Sequence, residues 1–332
     1  MKSAASHADG ESPRNVARQP FIRTLLGDLP ASPALGACDA HEHIVMHSSW
    51  LATNFPEFVL ADADRALIDL TAFRSAGGGW IVDSMPTGAG RDATLLAQVA
   101  QASQVPIVCP TGVHQEQYYP PDHLLLAMTR DPLCALFVDE ISRGIDDGAG
   151  RLEHRAGVIK VASSDERLTA REIERFTAAA LAQQQTGCPI LTHTQGGRDA
   201  QEQVAILAAN GARLSHVVLS HCDRNPDATY HRDLLQTGVC LEYDQHFRQL
   251  QRGERCVTAD LIAELCDEFP NQLLVGMDLA RRRYWNGYGG SPGLAWLMTD
   301  FIPMLREASM TEFRLHTVAV ENAIRAFTFT NG

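Results

Sequence analysis

Asp39-Ala40-His41-Glu42-His43 closes the first apolar run of this chain, and its two histidines stand two positions apart. On an extended strand that spacing aims both imidazoles at one face, so two ligands reach one ion without distorting the backbone. The arrangement recurs downstream. His193 ends Pro-Ile-Leu-Thr-His, His221 ends Val-Val-Leu-Ser-His, Asp278 ends Leu-Leu-Val-Gly-Met-Asp, and Lys160 lies in Gly-Val-Ile-Lys-Val-Ala-Ser. A lone His-x-His is a weak signal, because histidines on half-buried strands are more often hydrogen-bonded core or surface residues than ligands. Four histidines, a lysine and an aspartate that each close an apolar run make a strong one. Neutral imidazole and carboxylate oxygen suit zinc and similar divalent ions, so the set predicts a binuclear metal centre and metal-assisted hydrolysis.

These runs belong to a longer series. Strand-like segments are expected at residues 35–39, 80–83, 106–111, 157–162, 189–193, 216–221, 239–243 and 273–278, with amphipathic segments between them. Such alternation implies a parallel sheet wound with helices. Eight strands are enough to close a barrel, and barrels of this kind place their active sites at the C-terminal strand ends. The expected fold is therefore an α/β protein, a (β/α)8 TIM barrel forming a single domain over residues 21–332 with a C-terminal helix. One connecting helix is expected over residues 169–185, where Thr169 and Glu172 make a capping box and Ile173, Phe176 and Ala180 share one face. The terminal helix is expected to begin at Ser309, with Glu312 at the matching position and Phe313, Val320, Ile324 and Phe327 at helical spacing. No internal repeat and no linker divides the chain.

Composition narrows the function. A net charge of −12 argues against nucleic acid, which needs a basic surface to neutralise phosphates. The eight cysteines are scattered without a Cys-x-x-Cys pair, and they read as reduced core residues. Cys222, beside His221, carries the alternative reading of a metal contact. Residues 1–20 are polar and lack the apolar segment that export requires, so they read as a disordered leader, and no run is long enough to span a bilayer. The expected setting is cytoplasmic. A small molecule is the expected partner, with neither nucleic acid nor membrane, and a homodimer is compatible with the chain.

Lys160 is the most diagnostic single residue. A surface lysine at a strand end is common, yet this one lies within an apolar run where an ammonium needs a partner. An ammonium cannot ligate a metal. A deprotonated amine that takes up carbon dioxide becomes an anionic carbamate able to bridge two cations, and desolvation favours that form.

The ordered stretches Ile22-Arg-Thr-Leu-Leu-Gly-Asp28, Leu35-Gly-Ala-Cys-Asp-Ala-His-Glu-His-Ile44, Gly157-Val-Ile-Lys-Val-Ala-Ser-Ser164, Pro189-Ile-Leu-Thr-His-Thr-Gln-Gly-Gly197, Leu219-Ser-His-Cys-Asp-Arg-Asn-Pro-Asp227, Val275-Gly-Met-Asp-Leu-Ala-Arg-Arg-Arg-Tyr-Trp285 and Val320-Glu-Asn-Ala-Ile-Arg-Ala-Phe327 resemble the phosphotriesterase-related branch of the amidohydrolase superfamily, from about Phe21 to the C-terminus. The resemblance implies two divalent ions, zinc first with manganese or cobalt as alternatives. His41, His43 and Asp278 would hold the more buried ion and His193 and His221 the other, with carboxylated Lys160 and a hydroxide bridging them. Asp278 would touch both metal and hydroxide, which suits it to take the nucleophile's proton.

Members of this family include lactonases, some acting on sugar-lactone phosphates, phosphotriesterases, and hydrolases of small acylated amides. Arg281 and Tyr284 match an Asp-x-x-Arg-x-x-Tyr arrangement of the branch acting on phosphorylated lactones, where a guanidinium can fork onto a phosphate or carboxylate. Leu250 departs from that branch, standing where a lysine follows strand seven, with Arg248 and Arg252 as candidate substitutes. His114 and Asp244, on the loops after strands three and seven, join Arg281 and Tyr284 as candidate substrate contacts, and Tyr118 and Trp50 stand beside them as pocket or lid residues. The sequence reading is a lactonase acting through a metal-bridging hydroxide, with phosphotriesterase and amide hydrolase as alternatives.

Overall fold

Strands β1 (Ala37–Glu42), β2 (Gly78–Asp83), β3 (Ile107–Val108, continued by Pro110–Val113), β4 (Val158–Ala162), β5 (Ile190–His193), β6 (Val217–Ser220), β7 (Cys240–Tyr243) and β8 (Leu273–Val275) follow one another round a barrel in the computed structural model, which describes residues 19–148, 150–165 and 167–330. Each pairs in parallel with the next. The ladder changes partner at Cys109: Ile107–Val108 pairs with β2, whereas Pro110–Val113 pairs with β4. Proline has no N–H to donate, so Pro110 sits where the strand leaves its first partner. The seam between β8 and β1 is closed by single bonds. The Asp278 N–H donates to the His41 carbonyl at 2.8 Å, and the N–H groups of Met277 and Leu279 donate to the carboxylates of Asp39 and Glu42 at 3.1 and 2.7 Å.

All eight expected strands form, with shifted edges. β1 starts after Gly36, whose φ of +81° ends the short 3₁₀ turn Pro33–Leu35, so Leu35 lies outside the strand. β8 stops at Val275, which leaves Asp278 on the loop beyond. An antiparallel hairpin, Phe21–Thr24 with Gly27–Pro30, precedes the barrel and was not expected. Its Leu25-Leu26 turn carries no turn-forming residue, and the required left-handed backbone falls on Gly27 (φ +115°).

The core has two layers, as a helix-covered parallel sheet demands. Outward residues such as Ile81, Ile107, Ile159, Val217 and Leu273 pack beneath the helices. Inward residues Trp80, Val82, Val108, Val158, Leu191, Val218 and Leu274 fill the lower barrel, where Val320, Ile324 and Phe327 from the C-terminal helix close the floor. The Phe327 ring meets Trp80 edge-on at 6.1 Å. No helix among the described residues is long and apolar enough to cross a membrane.

Helix Ala170–Thr186 forms with the expected capping box: the Glu172 carboxylate accepts from the Thr169 N–H at 2.8 Å and the Thr169 hydroxyl from the Glu172 N–H at 3.2 Å. Phe176 and Ala180 are buried, but Ile173 is 39 % exposed, because the apolar stripe is too narrow to cover it. The terminal helix is capped by Thr311 instead of Ser309, whose left-handed φ of +70° still belongs to the preceding turn. Phe313, placed on the buried face by spacing, is 73 % exposed, while Val320, Ile324 and Phe327 are buried. All eight cysteines are buried and unpaired, and Cys222 directs its thiol to the Leu219 carbonyl at 3.4 Å. The leader expected over residues 1–20 lies outside the described residues apart from its last two.

Candidate metal centre

The strand ends converge on one point. The His43 Nε2 lies 3.4 Å and the His41 Nε2 3.9 Å from Asp278 Oδ1, and the His221 ring centre stands 4.6 Å from those of both His41 and His193. The ligand atoms of His41, His43 and Asp278 all fall within 4.8 Å of one another. Two ligands owe their direction to unusual backbone. His221 (φ +65°) and Asp278 (φ +48°) adopt the left-handed region, which costs a side-chain-bearing residue about 1 kcal/mol and turns each ligand inward just past its strand.

Hydrogen bonds fix which imidazole nitrogen is left for an ion. His221 Nδ1 donates to the buried carboxylate of Asp244 and so presents a bare Nε2, and His41 presents Nε2 likewise when its Nδ1, 2.8 Å from the Ser220 hydroxyl, is the donor of that pair. His193 is turned the other way: its Nε2 donates to Gln195 Oε1 at 3.2 Å and Nδ1 remains. Burial pushes the pKa of His41, His193 and His221 well below the ordinary histidine value, with neighbouring cations adding to the effect. Neutral imidazole is the ligating form. Burial raises the Asp278 carboxyl, but the Arg248 guanidinium, the His43 bond and His221 outweigh it and hold the group ionised, below the usual carboxylate range.

Lys160 is wholly buried beneath these ligands, and its Nζ has the Thr192 carbonyl at 3.5 Å. Desolvation lowers its pKa to about 7, against the pull of Glu242, Asp278 and Asp244. Near neutrality a substantial share of the amine, about half at pH 7, is therefore uncharged, the form that adds carbon dioxide. Gly112, on the adjacent strand at φ +123°, gives Lys160 its place: a Cβ there would meet the Lys160 carbonyl oxygen at 1.8 Å. Buried imidazoles, an ionised carboxylate and a lysine that loses its proton near pH 7 form a donor set that fits divalent cations.

Below the ligands lies a layer that the sequence reading missed. Glu242 is fully buried, 3.6 Å from His41 Nδ1, and neither of its oxygens has a hydrogen-bond partner among the described residues. Burial and Asp244 push its pKa well above the carboxylate range. Gly276 makes room for it, since a Cβ there would stand 2.5 Å from Glu242 Oε1. The period of two along β7, from Cys240 to Glu242 to Asp244, was the signal that could have found Glu242. Ser220, beside His221 in sequence, was missed likewise.

Above the ligands opens a cavity of about 350 Å³. His43, His193, His221 and Asp278 form its base, Phe58, Tyr118 and Met85 an apolar wall, and Arg224, Arg281 and Tyr284 a polar one. His114, Arg281 and Tyr284 thus line the cavity. Asp244 does not, being buried against His221. Trp50 is also off the lining and donates to the Gln117 carbonyl at 2.9 Å. Arg248 reaches the cavity with its guanidinium already engaged, by the Asp278 carboxylate at 2.9 Å and the Asp244 carbonyl at 2.9 Å. Arg252 is paired with Glu254 on the surface, and Leu250 is off the lining. Arg281 rests on the Phe58 ring at 5.2 Å, with no carboxylate partner among the described residues. Arg224, missed by the sequence reading although it lies in the quoted Ser-His-Cys-Asp-Arg stretch, reaches to 3.7 Å from Asp278 Oδ2.

Known proteins share the fold and length of this chain. A phospho-furanose lactonase of Mycoplasmopsis agalactiae is 28 % identical over 92 % of this chain and 91 % of its own. Among solved structures, an amidohydrolase from Mycoplasma synoviae superimposes with a TM-score of 0.89 at 28 % identity, covering 94 % of this chain and 93 % of that one. A lactonase from Listeria monocytogenes gives 0.87 at 28 % identity, covering 94 % of this chain and 100 % of that one. The phosphotriesterase family model matches residues 21–327, and the chain belongs to that family.

Proposed function

We propose that this protein is a binuclear metal-dependent lactonase that opens a small lactone carrying an anionic group. The observation that carries the reading is the join between the two halves of the site: the ligand cluster is the base of a cavity whose polar lining presents Arg281, a guanidinium without a carboxylate partner among the described residues. The lactonase names of the relative and of one structural neighbour support the reaction class. In this reading His41, His43 and Asp278 would hold one divalent ion, His193 and His221 a second, and carboxylated Lys160 would supply a further anionic ligand; zinc is the first choice, manganese and cobalt the alternatives. Such ions acidify water and polarise a carbonyl oxygen when bound.

The chain's own residues do the rest. Asp278 turns Oδ1 towards His41 and His43, while Oδ2, 2.9 Å from Arg248 Nη2, is the oxygen left to receive the proton of the attacking water and pass it outward. Arg281 and Tyr284 anchor the anionic end of the substrate, which fixes the scissile bond over the base of the cavity. Phe58, Tyr118 and Met85 supply the apolar part of the lining, with the Phe58 ring against the Arg281 guanidinium.

A hydrolysis screen across sugar lactones, acyl lactones, small acylated amides and aryl phosphotriesters tests this directly. Acid release from an anionic lactone, lost on chelation and restored by zinc, is the expected outcome. Release of amine or phenol with all lactones left intact would replace the reading by one of the other hydrolase classes.

A further inference from the structure

His114 lines the cavity beside the ligand cluster, with its ring centre 5.5 Å from that of His193. Its Nδ1 accepts a hydrogen bond from the backbone N–H of Gln115 at 2.7 Å. A backbone N–H can only donate, so Nδ1 carries no proton, and a neutral ring must carry its single proton on Nε2. Burial keeps the ring neutral. A protonated nitrogen has no lone pair for a metal, which separates His114 from His193 and His221, whose bonds to Gln195 and Asp244 leave a bare nitrogen over the site. No described residue accepts from this Nε2, nor is it among the enclosed polar atoms left without a partner.

The ring is also held still. The His114 backbone N–H donates to the Tyr119 hydroxyl at 2.9 Å, and that hydroxyl donates to the Thr87 carbonyl at 3.0 Å. Tyr118 packs edge-on against the imidazole at 4.7 Å. Three neighbours thus immobilise a donor that faces the substrate space, the arrangement that stabilises charge developing on a substrate oxygen without reorganisation.

We propose that His114 donates its Nε2–H to the ring oxygen of the lactone, stabilising that oxygen as the acyl C–O bond breaks and it leaves as an alkoxide. The inference rests on the lactonase reading for its substrate, and on the hydrogen bonds around His114 for its donor. The His114 interaction is a hydrogen bond throughout: water supplies the second oxygen of the new carboxylate, one of its protons ends on the departing hydroxyl, and the other leaves to solvent as the acid ionises.

A leaving-group comparison tests it. His114→Phe keeps the ring shape and removes the donor, and His114→Gln restores an N–H near the Nε2 position. On an oxygen lactone His114→Phe is expected to lower kcat/KM by about 100-fold, the usual loss for one such donor, and His114→Gln to recover at least about tenfold of it. On the corresponding thiolactone, whose ring sulfur accepts hydrogen bonds weakly, His114→Phe is expected to lose no more than about threefold. Equal losses on the two substrates, or loss of bound zinc in His114→Phe, would overturn the assignment. Histidine-selective ¹⁵N spectra of the zinc-loaded protein give a readout independent of substrate: the signal absent in His114→Gln must be that of an Nε2-protonated ring, and an Nδ1-protonated ring sinks the inference. Wild-type protein inert towards lactones, with an Nε2-protonated His114, would instead refute the lactonase reading and leave the donor in place.

Discussion

Asp278 and His41 are joined through their backbones at the one place where the barrel closes on itself: the Asp278 N–H donates to the His41 carbonyl at 2.8 Å. The first and last candidate ligands of the proposed centre are therefore positioned at the seam that completes the sheet. Asp278 also accepts from Arg248 through Oδ2 at 2.9 Å, which leaves Oδ1 for the ligand side. Asp278→Asn weakens a metal ligand and removes the proton acceptor while keeping the backbone bond. A fall in kcat on the order of 100-fold or more is expected for every substrate alike, with the far-ultraviolet spectrum unchanged. Selective loss on anionic substrates alone would count against this role.

Asp244 acts on metal affinity through His221. Its carboxylate holds His221 Nδ1, and removing such a support commonly costs 10–100-fold in affinity. Asp244→Ala is expected to show that loss for zinc in competition with a chromophoric chelator, at little cost in fold stability. Unchanged affinity would mean that packing alone orients the imidazole.

Lys160 gives a pH dependence with a defined sign. In the folded protein its pKa is lowered to about 7 from 10.5, so below about 7 it is protonated in both states and the penalty of burying the ammonium is fully present. Between about 7 and 10.5 only the unfolded chain holds the proton, and the stability of metal-free protein rises with pH. Lys160→Met should therefore raise the Tm of metal-free protein most at pH 7 and below, with the gain shrinking towards pH 10. A pH-independent difference in Tm would refute the shift.

The same amine governs activation. Reconstitution of metal-free protein with zinc and bicarbonate should quicken as pH rises through about 7, where the amine loses its proton. Lys160→Ala should be inactive and partly rescued by short carboxylic acids that occupy the bridge. Failure of every acid tested would remove the carbamate and leave the barrel untouched.

Arg281 separates recognition from chemistry. Arg281→Met should lower kcat/KM for an anionic lactone by tenfold or more, roughly the 1.5–3 kcal/mol of one charge-assisted bond, and leave a neutral analogue nearly unaffected. Metal content should not change. Equal losses on both compounds would point to a neutral substrate.

Phe327 carries the floor of the barrel. It is fully buried and meets Trp80 edge-on, so Phe327→Ala should cost about 3–5 kcal/mol in urea unfolding. The centre lies at the opposite end, and kcat of the folded fraction should be nearly unaffected.

The pattern of apolar runs closed by His41, His43, Lys160, His193, His221 and Asp278 already contained the barrel and the groups gathered at one end of it, because side-chain alternation and end-of-strand placement are local properties that survive in one dimension. Helix faces were less legible. Ile173 and Phe313 fit the periodicity yet stand exposed, since the width of a buried stripe depends on what packs against it. Other features required the closed barrel. Glu242 comes beneath His41 only when β7 curves round to face β1, and Arg248 meets Asp278 only when the loops after β7 and β8 share one rim. The free nitrogens of His221 and His193 and the proton on His114 Nε2 follow from partners, Asp244, Gln195 and the Gln115 N–H. Residue order determined which groups could ligate; the directions of those hydrogen bonds, which exist only once distant strand ends converge, decided how each one does.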